Sequence, residues 1–575
     1  IRDVERSRGL GDVYKRQGLS NSKSILNFSP RTFQTSICSA ATSFAALDFR
    51  MRTVMRSLEA AAPEPAAEEA VVEEELPQPS RTPNAREATI ALHTARLLIF
   101  LPFVMVRDEM SCSFTLTILA QKDMLETKLE SEIHSKERKR ETMRKQITAI
   151  IVGAGHRAIL YSLYALEHPD ELKIVGVADP DPIRRKKVAE MHGFGEEMCF
   201  KNAEELAARP KLADAVINGT MDRQHVPTAV PLLRAGYDML LEKPFAISEK
   251  EVNYLYKVVK ETGRKVMICH VLRYAPFYVA IKQRLLSGEI GDIINIQATE
   301  HVSYHHLAVS FVRGKWGNEE KCGAPMLLAK CCHDMDLIMW LKSGVSPKQI
   351  ASFGSDFQFD PAKKPAGAGK RCLVDCQCEE TCLYSAKKHY LDHPDRWAFY
   401  VWDCLENIEE PTLEDKRKSL MTDNIHGRCV WDCEHTVVDH QSVLMNFADG
   451  ATATLNMIGG TAKPERNIHI IGTKGEIKGV FDDSVFTVRT IDTASEKGWN
   501  EEVVDLKIGG DKSGMTGSHG GGDLRLVEDF VHVLQGEEPS ISCTTIKDSI
   551  NGHLGVFCAE RARKESAVIT MPDIR

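Results

Sequence analysis

An apolar run, Gln146-Ile-Thr-Ala-Ile-Ile-Val152, passes directly into Gly153-x-Gly155-x-x-Ala158. Few local patterns constrain a fold more, because a strand that ends on glycines and opens a helix builds the turn a dinucleotide needs. Gly153 permits the tight turn, Gly155 leaves room for a pyrophosphate beside the backbone, and the small Ala158 lets the helix pack close to the sheet. The anion then rests on the helix's free N–H groups. His156 and Arg157, in the same turn, join the expected cofactor-binding set.

A second strand, Leu172–Ala178, ends at Asp179. A carboxylate at that distance hydrogen-bonds the adenosine ribose of a dinucleotide, although in the sequence Asp179-Pro-Asp-Pro it can equally cap the next helix. Arg184 and Arg185 follow, and a guanidinium there can pair with a 2′-phosphate, so both NAD and NADP stay open as cofactors.

The chain has 575 residues, 43% hydrophobic and 27% charged, which points to a soluble globular protein of at least two domains. A net charge of −8 argues against nucleic acid or an anionic membrane as partner and leaves a small molecule. The longest apolar run, Leu97–Val106, falls far short of the roughly 20 residues that span a bilayer. Sixteen cysteines without a convincing signal peptide suggest thiols in a reducing, cytoplasmic setting.

Residues 1–142 read as a disordered or non-native extension, because Ser-rich, Ala/Glu/Pro-rich and charged tracts abut without apolar periodicity. Val13–Gln17 resembles translated adapter sequence, and Met143 is the expected start of the native reading. From there strands at 147–152, 172–178, 215–218, 238–242 and 265–269 alternate with helices at 156–167, 182–192, 225–236 and 248–263. This predicts a doubly wound parallel sheet over 143–270, with ligand at the C-terminal strand ends. From about residue 290 the texture turns to long β-rich runs, so 271–575 is expected to be a domain with a large open, mainly antiparallel sheet for substrate binding and oligomerisation. A Cys-rich insertion interrupts it over 360–435.

Glu242-Lys243-Pro244 closes one of the parallel strands and puts a lysine at the edge where a nicotinamide lies. Together GAGHRA, VADPDP, NGTMDRQHVPTAVPLLRAG, LLEKPFA and LLSGEIGDIINI resemble the Gfo/Idh/MocA oxidoreductases, whose members include sugar and inositol dehydrogenases. The resemblance spans about 145–575. It implies that Lys243 positions the substrate hydroxyl and nicotinamide, that Pro244 follows a cis bond, and that Thr220, His225 and Glu242 line the cofactor. The family's second catalytic element, D-x-x-x-H, falls on Pro325–Asp336. His333 matches the acid/base histidine, suited to proton transfer by its ordinary pKa near 6.5. The aspartate position is Ala329, a departure, and Lys330 follows at once.

Arg273, Tyr274, His301, Tyr304, Lys330, His440 and His519 are the expected substrate-side residues, since sugars are read by mixed hydrogen-bonding groups and aromatic faces. Cys372-x3-Cys376-x-Cys378-x3-Cys382, with Cys404, Cys429 and Cys433, can hold a structural zinc. Cys372, Cys376, Cys382 and Cys433 form the expected ligand set, with an iron–sulfur cluster or free thiols as the alternatives. The functional expectation is an NAD(P)-dependent dehydrogenase of a carbohydrate or cyclitol hydroxyl, working as a homodimer or homotetramer. An NAD-dependent glycoside-cleaving enzyme and a non-catalytic nucleotide sensor are the alternatives.

Overall fold

The computed structural model describes residues 145–394, 398–506 and 518–572, so the 1–142 segment lies outside the described residues. Strands β1 (Ile147–Val152), β2 (Leu172–Ala178), β3 (Cys199–Phe200), β4 (Ala215–Asn218), β5 (Asp238–Leu241) and β6 (Val266–Ile268) form a parallel sheet in the order β3-β2-β1-β4-β5-β6. Every residue of β4 is buried, as expected of a strand covered on both faces. The predicted helix 156–167 is broken into α1 (His156–Ser162) and a short turn, Tyr164–Glu167. Helix α2 (Pro182–His192) starts on Asp181, whose side chain accepts from Ile183 N, and ends at Gly193 in the left-handed region. Helices α3 (His225–Arg234) and α4 (Glu249–Thr262) complete this layer.

The second sheet runs β14-β13-β12-β11-β7-β10-β9-β8-β15. Its strands are β7 (Ile293–Ser303), β8 (Pro347–Ser355), β9 (His440–Phe447), β10 (Thr452–Thr461), β11 (Glu465–Gly472), β12 (Gly475–Val480), β13 (Val485–Ile491), β14 (Trp499–Asp505) and β15 (Ile569–Thr570). Pairing is antiparallel except between β7 and β10, which run parallel at the centre. Between β7 and β8 lies α5 (Cys332–Leu341), every residue of which is buried.

Two C-terminal helices depart from the expected division at residue 270. In α6 (Gly522–Leu534), Leu526, Val527, Phe530 and Val531 enter the core on one face of the parallel sheet; in α7 (Ile546–Glu565), Ile546, Ile550 and Leu554 enter the core on the other. An amphipathic helix has an apolar stripe but nothing in its own sequence that names the sheet it covers. The Cys-rich insertion also differs from a loop without a core. Cys372, Ala386, Tyr390, Leu391, Val401 and Leu420 pack together against Val309.

Candidate functional site

The glycine turn is built for close backbone approach. Gly153 has φ +80°, and a Cβ there would lie 2.7–2.9 Å from backbone atoms of Thr220 and Gly219. At Gly155 an added Cβ meets nothing nearer than Gly219 O at 4.0 Å, so the space over the start of α1 is open, and no side chain caps that helix. A helix start without a side-chain cap, with open space over Gly155, fits a dinucleotide pyrophosphate. Ala158 in place of a third glycine is accommodated by Gly219, where a Cβ would stand 2.8 Å from that of Ala158.

Asp179 is not the helix cap; Asp181 is. The Asp179 carboxylate accepts from Ala154 N at 2.7 Å and Asp181 N at 2.8 Å, tying the strand end to the glycine turn. Arg184 points to Glu406 of the insertion, 2.9 Å away. Arg157 pairs with Glu242 at 3.0 Å and with Asp523, and it donates to Tyr161 Oη. Burial favours a neutral Glu242, but Arg157, Lys243 and the Tyr161 hydroxyl outweigh it and hold the carboxyl below its usual pKa. Glu242 also accepts from Lys243 N at 2.7 Å and so fixes the backbone that carries the lysine. The Lys243-Pro244 bond is cis. His225 is buried with its two ring nitrogens at 2.7 Å from Pro244 O and 2.9 Å from Thr220 O, latching that bend to the loop after β4; Thr220 Oγ1 bonds Asn218.

Lys243 Nζ donates to Ala329 O at 3.1 Å. The position where the family's aspartate is expected therefore meets the lysine through its backbone carbonyl. Lys330 pairs with Glu300 of β7 at 2.9 Å, Glu300 pairs with Arg466 of β11 at 2.8 Å, and Arg466 pairs with Asp334 at 2.9 Å. This chain alternates two partly buried cations with two buried carboxylates. His306 lies near Lys330 and Lys243, and burial followed by the Lys330 charge pushes its pKa well down. His333 opens α5 edge-on to His270, with ring centroids 5.7 Å apart. Burial, then Arg273 and Lys243, likewise push His270 well below its usual pKa. Lys243, Lys330, His306, His270 and His333 thus lie close together.

Several expected substrate residues stand elsewhere. Arg273 is buried in a two-pronged bond to Asp336 of α5 at 2.7 and 2.5 Å, and Tyr274 donates to Asp529 of α6 at 2.7 Å, within the core of the parallel sheet. His301 and His440 sit in one row across β7, β10 and β9, each opposite Ile458, on the sheet's outer face. Glu300 and Gln441, one residue away, take the buried side. Tyr304 does approach the insertion, with ring contacts to Tyr384 and His389. The His519 side chain lies outside the described residues.

Residues the sequence reading passed over include Arg466, Asp334 and His270; Asp336, a candidate partner for His333 in sequence, pairs with Arg273. Arg466 had a signal, since it shares strand parity with Ile468 and Ile470, and a charge at core parity needs a buried partner. The four expected zinc ligands do not form a single-ion site. Among the described residues no three His, Cys, Asp or Glu side chains gather closely enough to hold one metal ion. Cys433 instead turns its thiol to Cys429 O at 3.2 Å.

Residues 147–270 match the family described as oxidoreductase family, NAD-binding Rossmann fold, Gfo/Idh/MocA. YteT of Bacillus subtilis (strain 168), named as an oxidoreductase, is 26% identical over 373 residues, 62% of this chain and 82% of its own length. Trans-1,2-dihydrobenzene-1,2-diol dehydrogenase of Bos taurus is 25% identical over 36% of this chain and 58% of its own length. The structure of a levoglucosan dehydrogenase in complex with NADH and levoglucosan shares the fold, with TM-score 0.54 and 14% identity over 75% of this chain and all of that one. With its glycine turn, its cis Lys243-Pro244 bend and its paired sheets, this chain carries over residues 147–270 the NAD-binding Rossmann domain of the Gfo/Idh/MocA oxidoreductases and is an NAD(P)-dependent dehydrogenase.

Proposed function

We propose that the enzyme oxidises a hydroxyl of a sugar, sugar derivative or cyclitol, with Lys243 and His333 as its catalytic residues. The observation that carries this reading is the bond from Lys243 Nζ to Ala329 O, which brings the lysine beside the short segment leading into His333. Bound nicotinamide supplies the hydride acceptor. Lys243 donates to the reacting oxygen and stabilises its developing charge, and His333 accepts the hydroxyl proton. Glu300 holds Lys330 within reach of a second substrate oxygen, while His306 remains neutral beside it. The half-buried Tyr304 ring, braced edge-on by Tyr384 and His389, offers the aromatic face a sugar ring stacks on.

NAD is the favoured cofactor in this reading, because Asp179 sets a carboxylate at the ribose position and Arg184 is engaged by Glu406. A homodimer or homotetramer through the outer sheet face belongs to the same reading, supported by the exposed Phe353, Leu444 and Ile458 there. Leu444→Glu is then expected to lower the native mass.

The test incubates enzyme with NAD or NADP and a panel of free sugars, cyclitols and aryl glycosides, following reduced nicotinamide and released aglycone. Net reduction with NAD preferred supports the proposal. Aglycone release without net reduction transfers the chain to glycoside cleavage, and neither signal from any member of the panel refutes the substrate class.

A further inference from the structure

We propose that the Cys-rich insertion forms a wall of the cofactor cleft and that its Glu406 is the residue that makes the site refuse the 2′-phosphate of NADP. This rests on the NAD reading above and names the group that enforces it. Arg184 stands in the first turn of α2, just past Asp179, where a guanidinium can meet a 2′-phosphate. Its Nε donates instead to Glu406 Oε2 at 2.9 Å, and both side chains are half-buried. Arg185, the other candidate, turns back on the loop and donates to Asp179 O at 2.6 Å and Pro180 O at 3.1 Å. Both guanidiniums are therefore taken.

A 2′-phosphate at this point would be opposed twice. It would have to displace Glu406 from Arg184, and it would meet the Glu406 and Asp179 carboxylates as like charges, since Asp179 also lies near Arg184. Asp403 adds a further carboxylate beside Glu406, with Arg184, Lys315 and Lys187 around it. A ribose 2′-hydroxyl carries no charge and needs only one acceptor, which Asp179 supplies.

Glu406 is held by a folded unit. It follows the helix Ala398–Trp402 and the turn Asp403–Leu405, in which Val401 and Leu405 are buried. Val401 packs in the insertion's own core with Tyr390 and Leu420, and its carbonyl accepts from Asn424 Nδ2 at 3.3 Å. From the same helix, Tyr400 meets the Trp316 ring edge-on at 5.9 Å, and Trp316 Nε1 donates to Asp222 at 2.9 Å in the loop after β4. The insertion is thus tied to the segment after β2 and, through Trp316, to the loop after β4. Those two strands flank β1, whose glycine turn opens the cofactor site, so the insertion stands across the crevice at the carboxyl ends of the strands.

The test titrates the full chain, Glu406→Gln, Glu406→Ala and Glu406→Gln/Arg184→Ala with NADH and with NADPH, followed by nicotinamide fluorescence without any sugar present. Wild type is expected to bind NADH more tightly. Each Glu406 variant should bind NADPH at least about 10-fold more tightly than wild type does, because the freed guanidinium gains a charge-assisted bond to phosphate, while NADH affinity stays within about threefold and shows that the variant folds. Adding Arg184→Ala should abolish the gain. An NADH preference that both Glu406 variants leave unchanged, or a gain that survives Arg184→Ala, overturns the role of Glu406 and leaves the NAD reading standing. A wild type that prefers NADPH overturns both.

Discussion

Removing one charge from the Lys330–Glu300–Arg466–Asp334 chain is a stringent test of the cleft's construction. Glu300 is buried and receives Lys330 at 2.9 Å and Arg466 at 2.8 Å. At an effective dielectric near 20 each of those contacts is worth about 6 kcal/mol of gross attraction. Repulsion from Asp334 and the hydration Lys330 regains offset much of this, and breaking a buried pair by removing one partner costs about 3–5 kcal/mol. Glu300→Gln keeps the shape and leaves two cations facing one carboxylate, so unfolding free energy in chemical denaturation should fall by about that amount. Adding Lys330→Met leaves the balanced Arg466–Asp334 pair, and the double variant should regain at least about half of the loss. A single-variant loss below about 1 kcal/mol, or simple additivity in the double variant, would refute the claim that the four side chains act as one neutralised unit.

Gly153→Ala forces a Cβ to within 2.7–2.9 Å of the Thr220–Gly219 backbone at φ +80°; it should cost more than about 1 kcal/mol of stability and weaken NADH binding, followed by fluorescence titration. His333→Asn should lower kcat by about 10²–10⁴-fold with the fold intact, whereas His306→Asn, at a ring already held neutral, should leave the pH dependence of kcat in place; pH–rate profiles of both decide between them. His435 bonds Asp356 at 2.7 Å, and although burial opposes its charge, Asp356 raises its pKa above the ordinary value. The pair therefore stabilises between the Asp356 carboxylate range and pH 6.5 and fades as pH rises through the raised histidine pKa; with Asp356 exposed, Asp356→Asn should remove about 0.5–1 kcal/mol in that window and flatten the slope in thermal melts taken across pH.

The sequence made the cofactor half of the site legible because that chemistry is local. A strand, two glycines and a helix start are consecutive residues, and β2 ends on its carboxylate one crossover later. The substrate half depends on which face each strand residue takes and on what packs against it. His301 and Glu300 are neighbours in sequence, yet a period of two places them on opposite faces of the sheet. The choice between them is set by helix α5 and by Arg466, contributed by a strand more than 160 residues away. His440 takes the sheet's outer face for the same reason, its strand turning Gln441 inward.

The Ala329 departure marks where local and distant information separate. Read as a motif, the missing aspartate removes a partner for the catalytic pair. In the folded chain Lys243 needs only an oxygen at that point, and the Ala329 carbonyl provides it at 3.1 Å. The carboxylate is supplied from β7, as Glu300, but it is directed at Lys330 and not at Lys243. The substitution thus comes with an added cation at the cleft, neutralised from behind by a strand residue. Under the proposed function Lys330 would be a second ammonium near the reacting hydroxyl, and an anionic substrate group would compete with Glu300 for it, so sugar acids belong in the panel beside neutral sugars. A lower KM for the acid that Lys330→Met abolishes would tie the altered motif to specificity, and equal KM values for acid and neutral sugar would confine Lys330 to holding Glu300.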